Sequence, residues 1–266
     1  MKAQRIIWGF ALISLGLFLI LERLGFLPEG VNPWGIVIAL LLIAFGVSWI
    51  ISAGGMRNAG TPRHVSILKE HASSASIQLD YGAGELIVKG GAPADVLIEG
   101  DFLEGIEYSS RVEDSTLKVN LKTPSMDWGI VPVWRIRQRR WELMLAQDIP
   151  MSLVFNNGAN SSDLDLGQVL VQNLQITTGA SNTQIRMPAS AGHTNAFIKA
   201  GAASITVSIP ENVAAQVHVI GAISTVNIDT VRFPRRGDVY ISPDYEAAQN
   251  RLDLKVECGV GSIEIK

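Results

Sequence analysis

The fold is decided by Leu174-Gln175-Ile176-Thr177-Thr178-Gly179-Ala180-Ser181, a stretch in which apolar residues alternate with polar ones and lead into a glycine. The glycine signature recurs at six places. Its copies are Tyr81-Gly82-Ala83-Gly84, Asn157-Gly158-Ala159-Asn160, Thr178-Gly179-Ala180-Ser181, Ala200-Gly201-Ala202-Ala203, Ile220-Gly221-Ala222-Ile223 and Cys258-Gly259-Val260-Gly261. The glycines at 158, 179, 201 and 221 are 21, 22 and 20 residues apart. A fixed period of this size indicates a solenoid of stacked repeats.

Each repeat has the alternation of a β-strand. Apolar residues occupy the positions five and three before the glycine in five of the six copies, and a period of two predicts strand. These pairs are Ile77 and Leu79, Leu153 and Phe155, Leu174 and Ile176, Ala196 and Ile198, and Leu254 and Val256. One such unit has too small an apolar face to be stable alone, so we expect the units to stack and bury a continuous core.

The six repeat glycines are predicted to lie at sharp corners between strands, because glycine tolerates such backbone and keeps neighbouring units close. These corner glycines are Gly82, Gly158, Gly179, Gly201, Gly221 and Gly259. Residues 76–266 are therefore predicted to form a mainly β domain, a β-solenoid of repeated short strands.

Two segments depart from the regular pattern. The copy at Gly221 fits only after a slip of one residue, with Val217, Val219, Val226 and Ile228 as its inward set, which indicates a bulge or an irregular corner. Between the first two copies, residues 108–121 alternate on both sides of Glu113-Asp114-Ser115, which predicts a hairpin.

The N-terminal part has the pattern of a membrane anchor. Two long apolar runs, about 6–27 and 34–53, are separated by a turn with two prolines and one glycine at 28–33. An apolar run of about 20 residues matches a bilayer core of roughly 30 Å. We therefore predict a transmembrane helical hairpin in residues 1–55 and a linker over 56–75.

Cation placement predicts the orientation of this hairpin. Lys2 and Arg5 precede the first run and Arg57, Arg63 and Lys69 follow the second. The positive-inside rule then predicts a multi-pass plasma-membrane protein with both termini and the solenoid in the cytoplasm. A cleaved signal peptide is disfavoured, since a second spanning run follows at once. A solenoid on the outer side of the membrane remains an alternative, because large domains can translocate despite flanking charge.

Composition and motifs argue against several function classes. The net charge of -3 and 47% hydrophobic content exclude a disordered chain and a basic nucleic-acid binder. The single Cys258 and four separated histidines give no zinc spacing. Ser66-Ile67-Leu68-Lys69 matches the catalytic pattern Ser-x-x-Lys, but the companion motifs of that pattern are missing. Asn160, Asp163 and Asp165 supply too few side chains for a calcium site or a polysaccharide groove. We predict no catalytic residues, no cofactor and no metal site.

One basic and aromatic segment interrupts the repeats. Four arginines lie between two tryptophans, a pattern that suits anionic lipid headgroups or an acidic partner. The candidate contact residues are Trp134, Arg135, Arg137, Arg139, Arg140 and Trp141. The alternative is an exposed strand whose tryptophan rings pack on the solenoid while the arginines are solvated. Nucleic acid is a weaker partner for this segment, because the rest of the domain is acidic.

Beyond these patterns, the chain resembles the LiaF-like membrane proteins of bacterial cell-envelope stress responses, whose soluble part is a β-solenoid "toastrack" domain related to the putative-adhesin domains. The resemblance covers nearly the whole chain. It rests on the residues quoted at the start together with Glu22-Arg23-Leu24-Gly25, Asn32-Pro33-Trp34, Ile209-Pro210-Glu211-Asn212-Val213-Ala214, Ser242-Pro243-Asp244-Tyr245 and the run from Val256 to Ile265.

The resemblance implies a non-enzymatic, membrane-anchored regulator of an envelope-stress two-component system. Its expected partners are the lipid bilayer and a membrane histidine kinase or another envelope-stress protein, with a homo-oligomer left open. The main alternative is an adhesin-like or envelope-structural protein that displays the solenoid outside the cell. A carbohydrate-active β-helix is a third interpretation and would require a groove of clustered carboxylates.

Overall fold

The computed structural model of the protein describes residues 62–124 and 139–266, which belong to one compact unit, Gly60–Lys266. This part of the chain contains no helix long and apolar enough to cross a bilayer. The two predicted membrane helices, at 6–27 and 34–53, lie outside the described residues, as do Trp134, Arg135 and Arg137.

The described residues form thirteen β-strands, so the predicted mainly β architecture is confirmed for this part of the chain. The strands are β1 Arg63–Leu68, β2 Ser74–Gly90, β3 Val96–Phe102, β4 Glu107–Glu113, β5 Thr116–Lys122, β6 Arg140–Leu145, β7 Met151–Asp165, β8 Val171–Arg186, β9 His193–Ser208, β10 Ala214–Ile228, β11 Arg235–Arg236, β12 Val239–Ile241 and β13 Arg251–Ile265.

Six long strands stack in parallel and make the body of the solenoid. Their spatial order is β2-β7-β8-β9-β13-β10, so the last strand of the chain is inserted between β9 and β10. The parallel body is extended by antiparallel pairs on one side, β1-β3-β6, and by the short β12 and β11 beyond β10.

The core is a set of side-chain columns that run through the stacked strands. The apolar residues three positions before five of the corner glycines lie in register with one another, and each of the five is almost fully buried. This column consists of Leu79, Phe155, Ile176, Ile198 and Val256, followed by Val219 in β10. Burying one such side chain contributes about 1.5–3 kcal/mol, which is why isolated units do not suffice.

The predicted hairpin is present as β4 and β5, which pair from Glu107↔Lys122 to Glu113↔Thr116. Its two loop residues, Asp114 and Ser115, have φ angles of 48° and 63°. Two consecutive positive φ angles indicate a type I′ turn, whose twist matches that of antiparallel strands.

Part of the predicted linker belongs to the folded domain, which corrects the boundary at 75. Residues 63–68 form β1 and pair with β3, with Val65 and Ile67 buried. Lys69, which follows β1, places its Nζ 2.7 Å from the carboxylate of Asp148. Only two buried residues alternate in β1, so the sequence pattern that would mark it as a strand is short.

Candidate interaction surface

The corner glycines are explained by the approach of adjacent strands. Gly158, Gly179, Gly201 and Gly259 stack in one column above Gly82. A Cβ on Gly179, Gly201 or Gly259 would lie 2.9, 2.8 or 2.6 Å from the carbonyl oxygen of the glycine in the neighbouring strand. Within the described residues, the positive φ angles of glycine fall elsewhere, for example at Gly84 and Gly261. Glycine is therefore needed in this column because a Cβ would not fit between the strands, and not because of the φ angles.

Gly221 lies outside this column. It pairs with Cys258, one residue before Gly259, and the register between β10 and β13 is constant from Ala214↔Arg251 to Ile228↔Ile265. The expected slip of one residue is thus present, but the predicted bulge is absent from this pairing. The inward set is as predicted, because Val217, Val219, Val226 and Ile228 lie opposite Leu254, Val256, Ile263 and Ile265.

The described end of the arginine and tryptophan segment is largely interior. Trp141 is 0% exposed, and its ring centroid lies 5.0 Å from that of Tyr81 and 5.1 Å from that of Phe102. Arg139 is also buried, so neither residue has a surface for a lipid headgroup. Alternation explains this, because in β6 Trp141, Leu143 and Leu145 all point into the core.

Arg140 is the member of the described segment with an exposed side chain. Its guanidinium lies 3.3 Å from Glu85 and 3.5 Å from Glu142. Tyr81, which packs against Trp141, donates its hydroxyl to the carbonyl oxygens of Glu85 and Arg139, at 2.9 and 3.0 Å, and burial raises the pKa of this phenol. The segment thus fastens β6 to β2 through its C-terminal residues.

A shallow depression lies on the outer face of β9, β13 and β10, with a volume of about 290 Å³. We call it the outer depression. Its polar and aromatic lining residues come from two rows of the sheet, and these rows are Asn195, Asp253 and Gln216, and Phe197, Lys255 and His218.

Hydrogen bonds fix the charged groups of the outer depression. The Asp253 carboxylate accepts a hydrogen bond from the Tyr245 hydroxyl and lies 2.8 Å from Nε2 of His193. Burial, and secondly the bond to Asp253, raises the pKa of the Tyr245 phenol. Lys255 Nζ lies 5.4 Å from the centroid of the Phe197 ring and 2.7 Å from Glu257, and its hydrogen bond lowers the pKa of that carboxyl group.

Such an arrangement suits the binding of a polar or charged partner group, since an anchored carboxylate, an ammonium and an aromatic ring are presented on one face. Sequence reasoning missed it because its residues come from three strands whose spatial order differs from chain order. Alternation predicts that Asp253 and Lys255 of β13 point outward. It does not predict which residues of other strands lie beside them.

The acidic residues considered for calcium or polysaccharide do not converge. Asn160 is buried and hydrogen-bonded to Ser162 and Thr178, whereas Asp165 lies on the outer face, 4.0 Å from Arg186. The described residues contain no group of three His, Cys, Asp or Glu side chains that could hold a metal ion.

These features define the C-terminal part of the chain as a β-solenoid whose repeats are closed by a glycine column. The family model Toast_rack_N, described as the N-terminal domain of toast_rack, DUF2154, matches residues 57–208. Because this match covers more than half of the chain, the chain belongs to this family.

Two solved structures are similar to the chain. One is described as a "putative cell adhesion protein" from Clostridium sporogenes ATCC 15579, with 21% identity, 77% of this chain and 99% of that chain covered, and a TM-score of 0.69. It shares the fold. The other is a "putative adhesin" from Bacteroides fragilis NCTC 9343, with 10% identity, 77% and 96% coverage and a TM-score of 0.27, too low to support an argument. No curated protein matches the chain.

Proposed function

We propose that the chain is a non-enzymatic, membrane-anchored interaction protein that modulates a cell-envelope stress response through its solenoid in the cytoplasm. The observation that carries this proposal is the outer depression, where Asp253, Lys255 and Phe197 are held in place on a rigid parallel sheet. Anchored groups lose little conformational freedom on binding, which favours recognition of a partner protein. The predicted transmembrane hairpin would keep the platform close to a membrane histidine kinase.

The second candidate is an adhesin-like or envelope-structural role with the solenoid outside the cell. The similar structure from Clostridium sporogenes bears the description of a cell adhesion protein, and it covers 77% of this chain. This role requires the opposite orientation of the domain across the membrane.

Labelling of one engineered cysteine separates these two roles. Val231 is 93% exposed, whereas the native Cys258 is buried, so a Val231→Cys variant of the full chain gives a specific signal over the unsubstituted chain. A membrane-impermeant maleimide should label this variant only after the cells are permeabilised. Labelling in intact cells would overturn the cytoplasmic proposal and favour adhesion.

A reporter of the envelope-stress response tests the role of the outer depression. Lys255→Ala removes its ammonium, and Arg186→Ala is the matched control, because it removes an exposed cation from the outer face of another parallel strand. We expect Lys255→Ala to change the reporter signal and Arg186→Ala to leave it unchanged, at equal amounts of membrane-bound protein. Equal signals for the two variants and the unsubstituted chain would contradict a partner site in the depression.

A further inference from the structure

β10 presents an unpaired edge at the end of the solenoid. β12 pairs with β10 only at Gln216 and Val217, and no other strand of the described residues lies on that side. Residues 218–228 of β10 are here called the open edge. Such an edge leaves backbone N–H and C=O groups available to another strand.

The open edge is also apolar. Ile220, Ile223 and Val226 are 46%, 75% and 39% exposed, and Val260 of the neighbouring β13 is 51% exposed. These four make up half of the large exposed hydrophobic residues in the described part of the chain. One strand further in, the equivalents of Val219 and Val226 are the buried Val256 and Ile263. At this end no further strand from the described ranges covers the inward residues Val219 and Val226, which are therefore partly exposed.

Charge distinguishes the open edge from the other strand edges. β1 carries Arg63 and His64, β4 carries Glu107, Arg111 and Glu113, and β11 consists of Arg235 and Arg236. Charges of this kind protect an edge from pairing with other strands. The open edge contains no Lys, Arg, Asp, Glu or Pro and has His218 as its one titratable side chain.

The arrangement of inward residues fits the open edge to a second copy of itself. Val217 and Val219 point inward before the corner, and Val226 and Ile228 point inward after it. Both pairs are symmetric about the bond between Ala222 and Ile223. Antiparallel pairing about a two-fold axis at this point would place Val219 of one copy opposite Val226 of the other. Since directly opposed residues share a face of the sheet, inward residues would then meet inward residues.

We propose that the chain forms a two-fold symmetric dimer in which residues 218–227 of β10 pair antiparallel with the same residues of a second copy. Pairing of this kind satisfies the backbone groups of both edges and covers both open interior columns. The neutral edge meets its copy without like-charge repulsion. This inference does not depend on the proposed signalling role, because self-association is measured without a partner.

Disulfide crosslinking of the full chain in membranes tests this dimer. Ile223→Cys places a thiol next to the proposed axis, and Val231→Cys, on the exposed loop after β10, is the control for collisions and for contacts through the predicted membrane helices. Mild oxidation should give a crosslinked dimer of the Ile223→Cys variant and little for Val231→Cys or the unsubstituted chain. Equal dimer formation by both variants would overturn the proposal, as would crosslinking of Ile223→Cys to a different protein.

A second substitution in the Ile223→Cys background tests the interface chemistry. Val226→Lys would bring a charge against Val219 of the other copy, and burial of an unpaired charge opposes association. We expect loss of the crosslinked dimer. Val112→Lys is the control, because Val112 is similarly exposed on β4 at another edge, and it should leave the dimer unchanged. Retention of the dimer in the Val226→Lys variant would show that the open edge is not the interface.

Discussion

Gly259 lies against Gly201 so closely that a Cβ on Gly259 would be 2.6 Å from the Gly201 carbonyl oxygen. Real Cβ atoms do not approach backbone this closely, so the two strands would have to separate locally. Each step of the glycine column adds a similar constraint, because the contact atoms are backbone and cannot rotate away. The repeat signature thus encodes the spacing of the strands at the corner.

The first prediction concerns this column. Gly259→Ala should lower the free energy of unfolding by about 1–3 kcal/mol, the usual cost of overpacking a closely packed interior. Gly221→Ala is the matched control, because its Cβ would meet only the Ser224 side chain, at 3.0 Å, on the open edge. Thermal unfolding of the full-length variants measures the difference. A control variant as destabilised as Gly259→Ala would contradict this account of the column.

Trp141 offers a second test, since it joins β6 to the core. Trp141→Ala should destabilise the domain by about 3–5 kcal/mol, the range for removal of a large buried aromatic ring. Trp141→Phe should cost less, because it keeps a ring beside Phe102 and removes an indole Nε1 that is buried without a hydrogen-bond partner. Denaturant unfolding of both variants gives the comparison. If Trp141→Ala were neutral, Trp141 would not be part of the core.

The same residue illustrates what sequence can and cannot predict. Alternation identified the strands and the inward set of β10, and Glu113-Asp114-Ser115 located the hairpin, because these signals are local. The order of the parallel strands is not local, since β7, β8, β9 and β13 present similar apolar faces to their neighbours. Insertion of β13 beside β9 was therefore not predictable, nor was the outer depression. Composition does not reveal which face of a strand is buried, so it left two interpretations of Arg139 and Trp141 open. Trp141 packs in the core, as the alternative interpretation expects of its ring, whereas Arg139 is buried and not solvated.

A third prediction uses the ion pair between Lys69 and Asp148. The hydrogen bond from Lys69 lowers the pKa of the Asp148 carboxyl in the folded state. A lowered folded-state pKa stabilises the protein above the unfolded-state pKa, about 3.9 for Asp. This stabilisation is lost as the pH falls through the folded-state pKa. Asp148→Asn should thus lower the melting temperature at pH 7, with a difference that vanishes in acid.

The effect of Asp148→Asn should be modest, because exposed ion pairs contribute about 0–1 kcal/mol. Asp163→Asn is the control, since Asp163 makes none of the ion pairs found among the described residues. Its melting temperature should follow that of the unsubstituted chain at each pH. An Asp148→Asn difference that persisted in acid would mean that the ion pair is not its cause.

The fourth prediction follows from the position of β13 between β9 and β10. β13 pairs with residues 58 positions earlier in β9, from Arg251↔His193 onward, and also holds β10 along its whole length. Val256 and Val260 lie on this one strand, but Val256 is fully buried and Val260 is half exposed. Val256→Asp should prevent stable folding, because it places an unpaired carboxylate in the core column between Ile198 and Val219. Val260→Asp should have a melting temperature close to that of the unsubstituted chain. Circular dichroism of the two full-length variants measures this contrast, and equal tolerance of both would mean that β13 does not form the interior of the sheet.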